Sequence, residues 1–320
     1  MSKQISIVVP VYNEQAVIEI FYEKFTRVLS RLPDYDFEIL FVNDGSSDQT
    51  QRIVDNLASR DARVSSILFS RNFGKEAAMT AGLDAAQGDA VAIFDVDLQD
   101  PPELLVSFIE QWEAGYDVVN AMRICREGET WLKRFTAAGF YRIMKRMSPV
   151  SIPADTGDCR LLSQRAVHAI RQLRENHRFM KGLYAWIGYP TTAVAYERSP
   201  RAAGKTTFNY WKLWNFAIEG FTSFSTIPLR VALYFGTTIS ACAFIMGTWI
   251  ILKTLLWGEV VHGYPTIIVS ILFLGGIQLF FIGVLGEYIG RIYGETKKRP
   301  LYLIQHYKPS RVGRSELGDT

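Results

Sequence analysis

Two long uncharged segments near the C-terminus place the strongest constraint on how this chain of 320 residues folds. Residues 231–252 and 265–286 each extend for 22 positions without a charged side chain. About 20 consecutive apolar residues in a helix cross the hydrocarbon core of a bilayer, which is roughly 30 Å thick. We therefore predict a two-helix transmembrane hairpin over 230–292, with spans at about 231–252 and 265–289. Two buried core helices are the alternative, which the length and the lack of charge disfavour.

Basic residues predict the orientation of this hairpin. The connecting loop, residues 253–264, contains Lys253 as its single basic residue, whereas both outer flanks are rich in basic residues. These are Arg198, Arg201, Lys205, Lys212 and Arg230 on one side, and Arg291, Lys297, Lys298 and Arg299 on the other. Because Lys and Arg concentrate on the cytoplasmic side of membrane proteins, we expect both termini in the cytoplasm and a short loop outside. The apolar run 5–9 is too short for a signal peptide, so the first domain is expected to stay in the cytoplasm.

Residues 209–229, directly before the hairpin, have a different pattern. Trp211, Trp214 and Phe221 recur at helical spacing with polar residues between them. This pattern is typical of an amphipathic helix in the membrane interface, where Trp is enriched. A core helix of the preceding domain is the alternative; the neighbouring basic residues and membrane span favour the interface.

The first 208 residues alternate between short apolar runs and helical patterns. The runs are rich in Val, Ile and Phe and predict strands at 5–9, 37–42, 64–69, 90–94 and 117–121. Three- and four-residue spacing of apolar residues predicts helices between them. Such alternation predicts an α/β domain with a mostly parallel sheet and helices on both faces. Ligands of these sheets bind at the carboxyl ends of the strands, so the residues after each strand are the candidates for function.

Charge and cysteine usage exclude several other classes. A net charge of +3, with no basic block that includes aromatic residues, argues against a nucleic-acid partner. The three cysteines, Cys125, Cys159 and Cys242, have no CxxC spacing, which indicates a reduced protein rather than a disulfide scaffold. The four histidines lack the spacing of zinc ligands.

The sharpest chemical signal follows the predicted strand at 90–94. Asp95 and Asp97 are separated by one residue and can share a divalent cation, to which the amide oxygen of Gln99 can add a ligand. Mg²⁺ or Mn²⁺ suits an all-oxygen set and neutralises a bound pyrophosphate as its bond to a sugar breaks. Two acidic residues after a strand can also be a solvated loop, but these lie between a buried strand and the start of a helix.

Three other predicted strands also end in polar motifs. These are Pro10-Val11-Tyr12-Asn13-Glu14, Asn43-Asp44-Gly45-Ser46-Ser47-Asp48 and Arg71-Asn72-Phe73-Gly74-Lys75-Glu76. Each motif alone also fits a turn or a helix cap. Four strand ends of this kind together predict one binding mouth lined by carboxylates, amides and a lysine.

As a set, these motifs resemble the family 2 inverting glycosyltransferases, which have a GT-A fold. Within this family, the chain resembles the polyisoprenyl-phosphate glycosyltransferases. The features that carry this narrower resemblance are the two C-terminal spans and the motifs Arg71-Asn72-Phe73-Gly74-Lys75-Glu76, Phe179-Met180-Lys181-Gly182 and Gly286-Glu287-Tyr288-Ile289-Gly290-Arg291. That group includes the bactoprenol glucosyltransferases of O-antigen modification and dolichol-phosphate mannose synthase. The resemblance extends over the chain to about Tyr307.

The resemblance implies a role for several residues. The implied donor-binding residues are Pro10, Tyr12, Glu14, Asp44, Lys75 and Asp95. Asp95, Asp97 and Gln99 are implied to bind the metal together with the donor diphosphate. Asp158 is implied to lie beside the reacting sugar, so Asp97 and Asp158 are the expected catalytic residues.

A lipid-phosphate acceptor also places demands on the site. The phosphate is already ionised near neutral pH, so no strong general base is required, and Asp158 can orient the acceptor or stabilise positive charge on the sugar. The phosphate does need cations, for which the candidates are Arg123, Arg126, Arg201 and Lys205. Binding of anionic lipid is an equal alternative for each of them.

We therefore expect transfer of glucose from UDP-glucose to undecaprenyl phosphate at the cytoplasmic face of a bacterial inner membrane. The resemblance further implies a homo-oligomer, a tetramer, and residues 293–320 are expected to form a basic cytoplasmic tail. GDP-mannose or a UDP-amino-arabinose derivative are alternative donors, and a non-enzymatic nucleotide-binding membrane protein is an alternative class. A processive polysaccharide synthase would show a QxxRW motif and more spans, and neither is present.

Overall fold

The computed structural model describes residues 2–124, 156–176, 178–197, 227–257 and 263–310. The chain divides into two compact units. The described part of the first unit comprises residues up to Glu197 and from Pro300 onward, and that of the second comprises residues 227–299. The predicted interface helix lies outside the described residues as far as residue 226. The domain boundaries predicted above stay predictions.

The first unit is built on an eight-stranded sheet. Its strands are β1 (Lys3–Val11), β2 (Tyr35–Asn43), β3 (Val64–Phe69), β4 (Ala90–Ile93), β5 (Val118–Arg123), β6 (Thr156–Ser163), β7 (Thr191–Tyr196) and β8 (Ile304–Lys308). They lie in the order β7-β5-β6-β4-β1-β2-β3-β8. β1 pairs in parallel with β2 and β4, as do β2 with β3 and β5 with β7. β6 and β8 are antiparallel to their neighbours. The predicted α/β class with a mostly parallel sheet is confirmed.

Six helices of this unit are described. They are α1 (Ile18–Leu29), α2 (Thr50–Arg60), α3 (Lys75–Ala85), α4 (Leu104–Glu113), α5 (Gln164–Gln172) and α6 (Met180–Trp186). α1 forms because Ile18, Phe21 and Phe25 recur on one face, and this face is buried. The ring of Phe25 packs at 4.9 Å from those of Phe21 and Phe94, which joins α1 to the end of β4.

The two faces of the sheet are covered by different helices. Ile7 and Val9 of β1 belong to one core with residues of α1, α2 and α4. Val8 points to the opposite face, since side chains alternate along a strand. There α3 approaches so closely that a Cβ added to Gly82 would lie 2.1 Å from Cγ1 of Val8. The sheet therefore lies between helices, and α3 is held against its central strand.

The second unit contains two long helices, α7 (Ile227–Trp257) and α8 (Tyr264–Thr296), which contact each other. Large apolar side chains along both are exposed, among them Phe244, Leu255 and Phe280. Among the described residues, one helical stretch, Phe273–Thr296, is long and apolar enough to cross a membrane, and none of it is buried. A shorter apolar stretch, Tyr234–Met246, lies in α7. One apolar membrane-length helix is thus present.

The chain returns to the first unit after α8. Residues 304–308 form β8, which pairs antiparallel with β3, so that Ile67 faces Tyr307 and Leu68 faces His306. The sequence predicted a basic tail here and no strand. Four of the five side chains of β8 are exposed, so its sequence carries no alternating buried pattern that would reveal it.

Candidate active site

The loops after β1 and β2 are interlocked by hydrogen bonds. Asn13, whose φ is +55°, donates its backbone N–H to Oγ of Ser46 at 2.9 Å. Its side-chain oxygen accepts the N–H of Ser47 at 2.9 Å, and the N–H of Glu14 bonds to Oγ1 of Thr50 at 2.9 Å. The neighbouring Tyr12 is exposed. These bonds hold Tyr12 and Glu14 at the same sheet edge as the end of β2, while Pro10 is buried within β1.

Asp44 connects the end of β2 to the loop after β3. Its backbone N–H donates to the carbonyl of Val11 at 3.0 Å. Its buried carboxylate accepts the N–H groups of Phe73 at 2.6 Å and Gly74 at 2.9 Å. Burial raises the pKa of Asp44, and the two N–H bonds partly oppose this effect. The carboxylate therefore fixes the backbone that leads into α3, and its predicted contact with the nucleoside stays a prediction.

Gly45 allows the two loops to approach closely. Its φ is +66°, in the left-handed region that favours glycine. A Cβ at this position would lie 2.4 Å from the carbonyl carbon of Arg71. The turn after β2 therefore requires glycine for both its conformation and its packing.

Lys75 is the centre of the charged cluster. It begins α3, and its Nζ lies 2.7 Å from Asp95 and 2.6 Å from Asp158. Burial lowers the pKa of Lys75, but the charges of Asp95 and Asp158 outweigh it, and the net shift is upward. The pKa of Asp95 is raised, chiefly by burial. The fold thus joins three predicted site residues from α3, the end of β4 and the start of β6.

Asp158 is held between two lysines. In addition to Lys75, Nζ of Lys181 lies 3.7 Å from Asp158 and donates to the carbonyl of Thr156 at 3.2 Å. Burial opposes ionisation of Asp158, but the charges of Lys75 and Lys181 overcome this and leave its pKa far below the usual range. A carboxylate with so low a pKa stays ionised at neutral pH and is a poor proton acceptor. The geometry therefore favours an electrostatic or positioning role.

Three residues of the cluster were not predicted as site residues. Lys181 was noted only as part of a motif. Arg160, which is buried, donates to the carbonyls of Gly157 at 2.7 Å and Asp158 at 3.2 Å and lies over the ring of Tyr184. The carboxylate of Glu76 accepts the N–H of Met180 at 3.2 Å, and burial, followed by the charge of Asp158, raises its pKa to about 7. Lys181 and Glu76 come together because the start of α6 contacts α3, and Arg160 lies on β6 next to Asp158; no local sequence pattern reveals these contacts.

Asp97 and Gln99 lie on the turn after β4. Leu98 between them is buried and has a φ of +57°, and the N–H of Gln99 donates to Asp97 at 3.2 Å. In the described part of the chain, no three His, Cys, Asp or Glu side chains converge as a metal site. The oxygens of Asp97 and Gln99 nevertheless suit a cation such as Mg²⁺, which usually takes one or two carboxylates plus substrate phosphates and water. Asp95, also predicted as a ligand, bonds to Lys75.

Arg123 is the one predicted acceptor-binding residue within the described ranges. Its Nε donates to the hydroxyl of Tyr196 at 3.2 Å, and that hydroxyl donates to buried Asp100. A Cβ added to Gly157 would lie 3.2 Å from Nη2 of Arg123, which places the guanidinium next to the strand of Asp158. The other three, Arg126, Arg201 and Lys205, lie outside the described residues.

Comparison with known proteins extends these observations. Residues 6–171 match the model of glycosyl transferase family 2, and residues 227–292 match that of the GtrB C-terminal hairpin. A prophage bactoprenol glucosyl transferase homolog of Escherichia coli K12 is 52% identical over 95% of this chain and 99% of that protein. A bactoprenol glucosyl transferase of Shigella phage SfV is 51% identical over the same shares. Among solved structures, glucosyl-3-phosphoglycerate synthase of Mycobacterium tuberculosis has a TM-score of 0.44 and 21% identity, and covers 67% of this chain and 76% of that one.

Proposed function

The chain belongs to glycosyl transferase family 2, and we propose that it transfers glucose from UDP-glucose to a polyisoprenyl phosphate, undecaprenyl phosphate. Two findings support the proposal from different directions. Relatives named bactoprenol glucosyl transferases are 51–52% identical over 95% of the chain. In the structure, Lys75 joins Asp95 and Asp158 at the strand ends where ligands of such sheets bind. Within the structure, this ion cluster is the observation that carries the proposal.

The donor binds, in this proposal, across the ends of β1, β2 and β4. Tyr12 and Glu14 contact the nucleoside from one side, and Asp44 contacts it or keeps the neighbouring loop in place. Lys75 lies where the diphosphate and glucose meet. Its pairing with two carboxylates holds the ammonium in position before the donor arrives, so little reorganisation is needed on binding.

The proposed transfer is a single in-line displacement. An oxygen of the acceptor phosphate attacks the anomeric carbon of glucose, the carbon–oxygen bond to UDP breaks, and its electron pair leaves with the diphosphate. The configuration at the anomeric carbon inverts, which gives a β-linked product. Asp158 is ionised because its pKa is depressed, so it stabilises positive charge on the sugar or orients the acceptor instead of taking a proton.

We propose that Asp97 and Gln99, with Asp95 beside them, hold a divalent cation against the donor diphosphate. Mg²⁺ or Mn²⁺ would supply positive charge to the leaving group. The support is the donor set itself, since hard oxygen ligands on a tight turn suit such an ion.

The acceptor phosphate requires positive charge next to the sugar. Arg123 and Lys181 flank the strand that contains Asp158, and we assign these two cations to the acceptor phosphate. Arg126, Arg201 and Lys205 remain candidates on sequence grounds. The polyisoprenyl chain of the acceptor requires a lipid phase, which agrees with the apolar helical stretch Phe273–Thr296.

We further propose a location in a bacterial inner membrane. α7 and α8 would both span the bilayer, and the catalytic domain and both termini would face the cytoplasm. The GtrB C-terminal hairpin match over 227–292 supports two spans. The expected homotetramer stays a prediction, which the mass of the purified protein in detergent would test.

A panel of labelled nucleotide sugars tests the proposal. Purified protein is incubated with undecaprenyl phosphate and UDP-glucose, GDP-mannose or a UDP-amino-arabinose derivative, with and without EDTA. We expect label in the lipid fraction from UDP-glucose only, and loss of transfer with EDTA. Transfer from a different nucleotide sugar would show that UDP-glucose is not the donor. Transfer that EDTA does not inhibit would show that the reaction needs no divalent cation.

A matched pair of variants distinguishes an enzyme from a protein that only binds the nucleotide. Asp97→Asn removes one carboxylate of the site, and Asp34→Asn makes the same change at an exposed position. We expect Asp97→Asn to lower transfer by about two orders of magnitude or more, since it weakens charge stabilisation in the transition state. Asp34→Asn should transfer like the wild type. A wild type that binds UDP but transfers no sugar would establish the non-enzymatic alternative.

A further inference from the structure

Tyr302 lies in the segment between α8 and β8, outside the charged cluster. It is half-buried, and its ring stacks on that of Phe69 with centroids 5.1 Å apart and planes inclined by 10°. Phe69 is the last residue of β3 and is itself buried. Tyr302 therefore covers the strand end from which the loop to α3 departs.

The contact continues from Phe69 into that loop. The rings of Phe69 and Phe73 meet edge to face, with centroids 5.7 Å apart and planes at 90°. The guanidinium of Arg71 lies 4.0 Å from the centre of the Phe73 ring. The N–H groups of Phe73 and Gly74 are those that the carboxylate of Asp44 accepts. A row of three aromatic rings thus leads from Tyr302 to the backbone that Asp44 holds.

Tyr302 also contacts the far end of α3. Its hydroxyl donates to Asp84 at 2.8 Å, and Asp84 forms a bidentate pair with Arg174. The backbone next to it adds a bond, since the N–H of Ser70 donates to the carbonyl of Leu303 at 3.0 Å. α3 begins with Lys75, and Asp84 is in its last turn. Tyr302 therefore contacts Phe69, from which the loop to α3 departs, and also the last turn of this helix.

We propose that Tyr302 is a positioning residue for donor binding. It acts through Phe69 and Phe73, whose packing holds the backbone of residues 71–75 and so the ammonium of Lys75. Without the Tyr302 ring, Phe69 loses its stacking partner, so the ring against which Phe73 packs is held less firmly. The loop then samples conformations in which Lys75 no longer meets Asp95 and Asp158, and the donor binds less often to a competent site.

Two variants distinguish the role of the Tyr302 ring from that of its hydroxyl. Tyr302→Phe keeps the stacking and loses the bond to Asp84, whereas Tyr302→Ala loses both. Tyr307→Ala is the matched control, because it removes a tyrosine of the adjoining strand β8 at a position paired with Ile67 and not with Phe69. Tyr302→Leu, which keeps apolar volume without an aromatic face, replaces the alanine variant if the latter does not fold.

Hydrogen exchange of the full-length protein tests the positioning directly and needs no substrate. We expect the amides of Phe73 and Gly74 to exchange about three- to tenfold faster in Tyr302→Ala than in the wild type, as the loss of one aromatic contact implies. Tyr302→Phe and Tyr307→Ala should exchange at the wild-type rate. Unchanged exchange at Phe73 and Gly74 in the alanine or leucine variant would overturn the proposal.

Kinetics supply the second measurement, which rests on the proposed function. We expect Tyr302→Ala to raise KM for UDP-glucose by about three- to tenfold while kcat and KM for undecaprenyl phosphate stay near the wild-type values. Tyr302→Phe should restore the donor KM. A fall in kcat with no change in the KM for UDP-glucose would indicate general damage and contradict positioning. A wild type without UDP-glucose turnover would refute the proposed function, and the exchange experiment would still decide the role of Tyr302.

Discussion

Lys75 sets the electrostatics of the candidate site because its ammonium lies between Asp95 and Asp158. Each carboxylate depends on this lysine, since burial alone raises the pKa of both. Asp158 has Lys181 as a second partner and is the carboxylate that stays most strongly ionised. Lys75 and Lys181 together thus keep Asp158 charged next to the proposed reaction centre.

Glu76 follows Lys75 in the sequence, and its pKa shifts in the opposite direction to that of Asp158. Burial, and then the charge of Asp158, raises its pKa from 4.5 to about 7. The folded protein therefore binds more protons than the unfolded chain between about pH 4.5 and 7. Stability from this group is present at low pH and falls as the pH rises through that window. The full effect is on the order of 3 kcal/mol.

Thermal unfolding in detergent at a series of pH values measures this effect. We expect the Tm of the wild type to fall between pH 5 and 8, with a smaller fall in Glu76→Gln, which cannot ionise. Glu19→Gln, at an exposed position of α1, is the control and should retain the wild-type slope. Equal slopes for the wild type and Glu76→Gln would show that Glu76 ionises as an ordinary glutamate.

Among the elements, α3 determines where Lys75 lies, and its position depends on Gly82. A Cβ there would lie 2.1 Å from Cγ1 and 3.1 Å from Cγ2 of Val8, so the helix must move away from β1 to admit one. We expect Gly82→Ala to lower the free energy of unfolding by about 1–3 kcal/mol through overpacking. It should also weaken transfer, because the shift displaces Lys75.

The double variant Val8→Ala/Gly82→Ala is the control for this packing. Removing both Cγ atoms of Val8 makes room for the new methyl group, so the double variant should lose less stability than the two single variants added together. Denaturant unfolding of the four proteins gives the coupling energy. Strict additivity would mean that Gly82 and Val8 do not meet as the structure has them.

The elements that could be predicted from the sequence are strands with an apolar run and helices with one apolar face. β1 to β5 and α1 to α4 have such patterns; the described strands begin and end within two residues of the predicted ones, and the bounds of β3 match. β6 was not predicted because its first five residues include Gly157, Asp158 and Arg160, which are buried or half-buried through ion pairs and carbonyl contacts. Tertiary partners stabilise this strand, and no local pattern indicates them.

The site could be predicted in part, for a related reason. Strand ends reveal Asp44, Lys75 and Asp95, because parallel strands bring their carboxyl ends to one edge. Lys181 and Glu76 join the cluster only through the packing of α6 beside α3, which requires the fold. The bond from Asp44 to Phe73 and Gly74 likewise depends on a turn that the sequence motif does not specify.

For the whole molecule, the proposed topology can be tested by labelling. In a variant without Cys125, Cys159 and Cys242, single cysteines are placed at Ser2 and Gly263, the residue before α8. We expect an impermeant maleimide to label Gly263→Cys in intact cells and Ser2→Cys only after the membrane is permeabilised, since basic flanks face the cytoplasm. The opposite pattern would invert the topology, and labelling of both in intact cells would refute two spans.

We propose that the cluster of Lys75, Asp95 and Asp158 takes part in the transfer of glucose to a lipid phosphate. The most direct measurement is the initial rate at which label from UDP-glucose enters undecaprenyl phosphate, for the wild type, Asp158→Asn and the exposed control Asp34→Asn. We predict equal rates for the wild type and Asp34→Asn, and a loss of about 100-fold or more for Asp158→Asn, because in the proposed mechanism its charge acts on the reacting sugar or the acceptor. A wild-type rate for Asp158→Asn would show that this carboxylate has no part in the transfer.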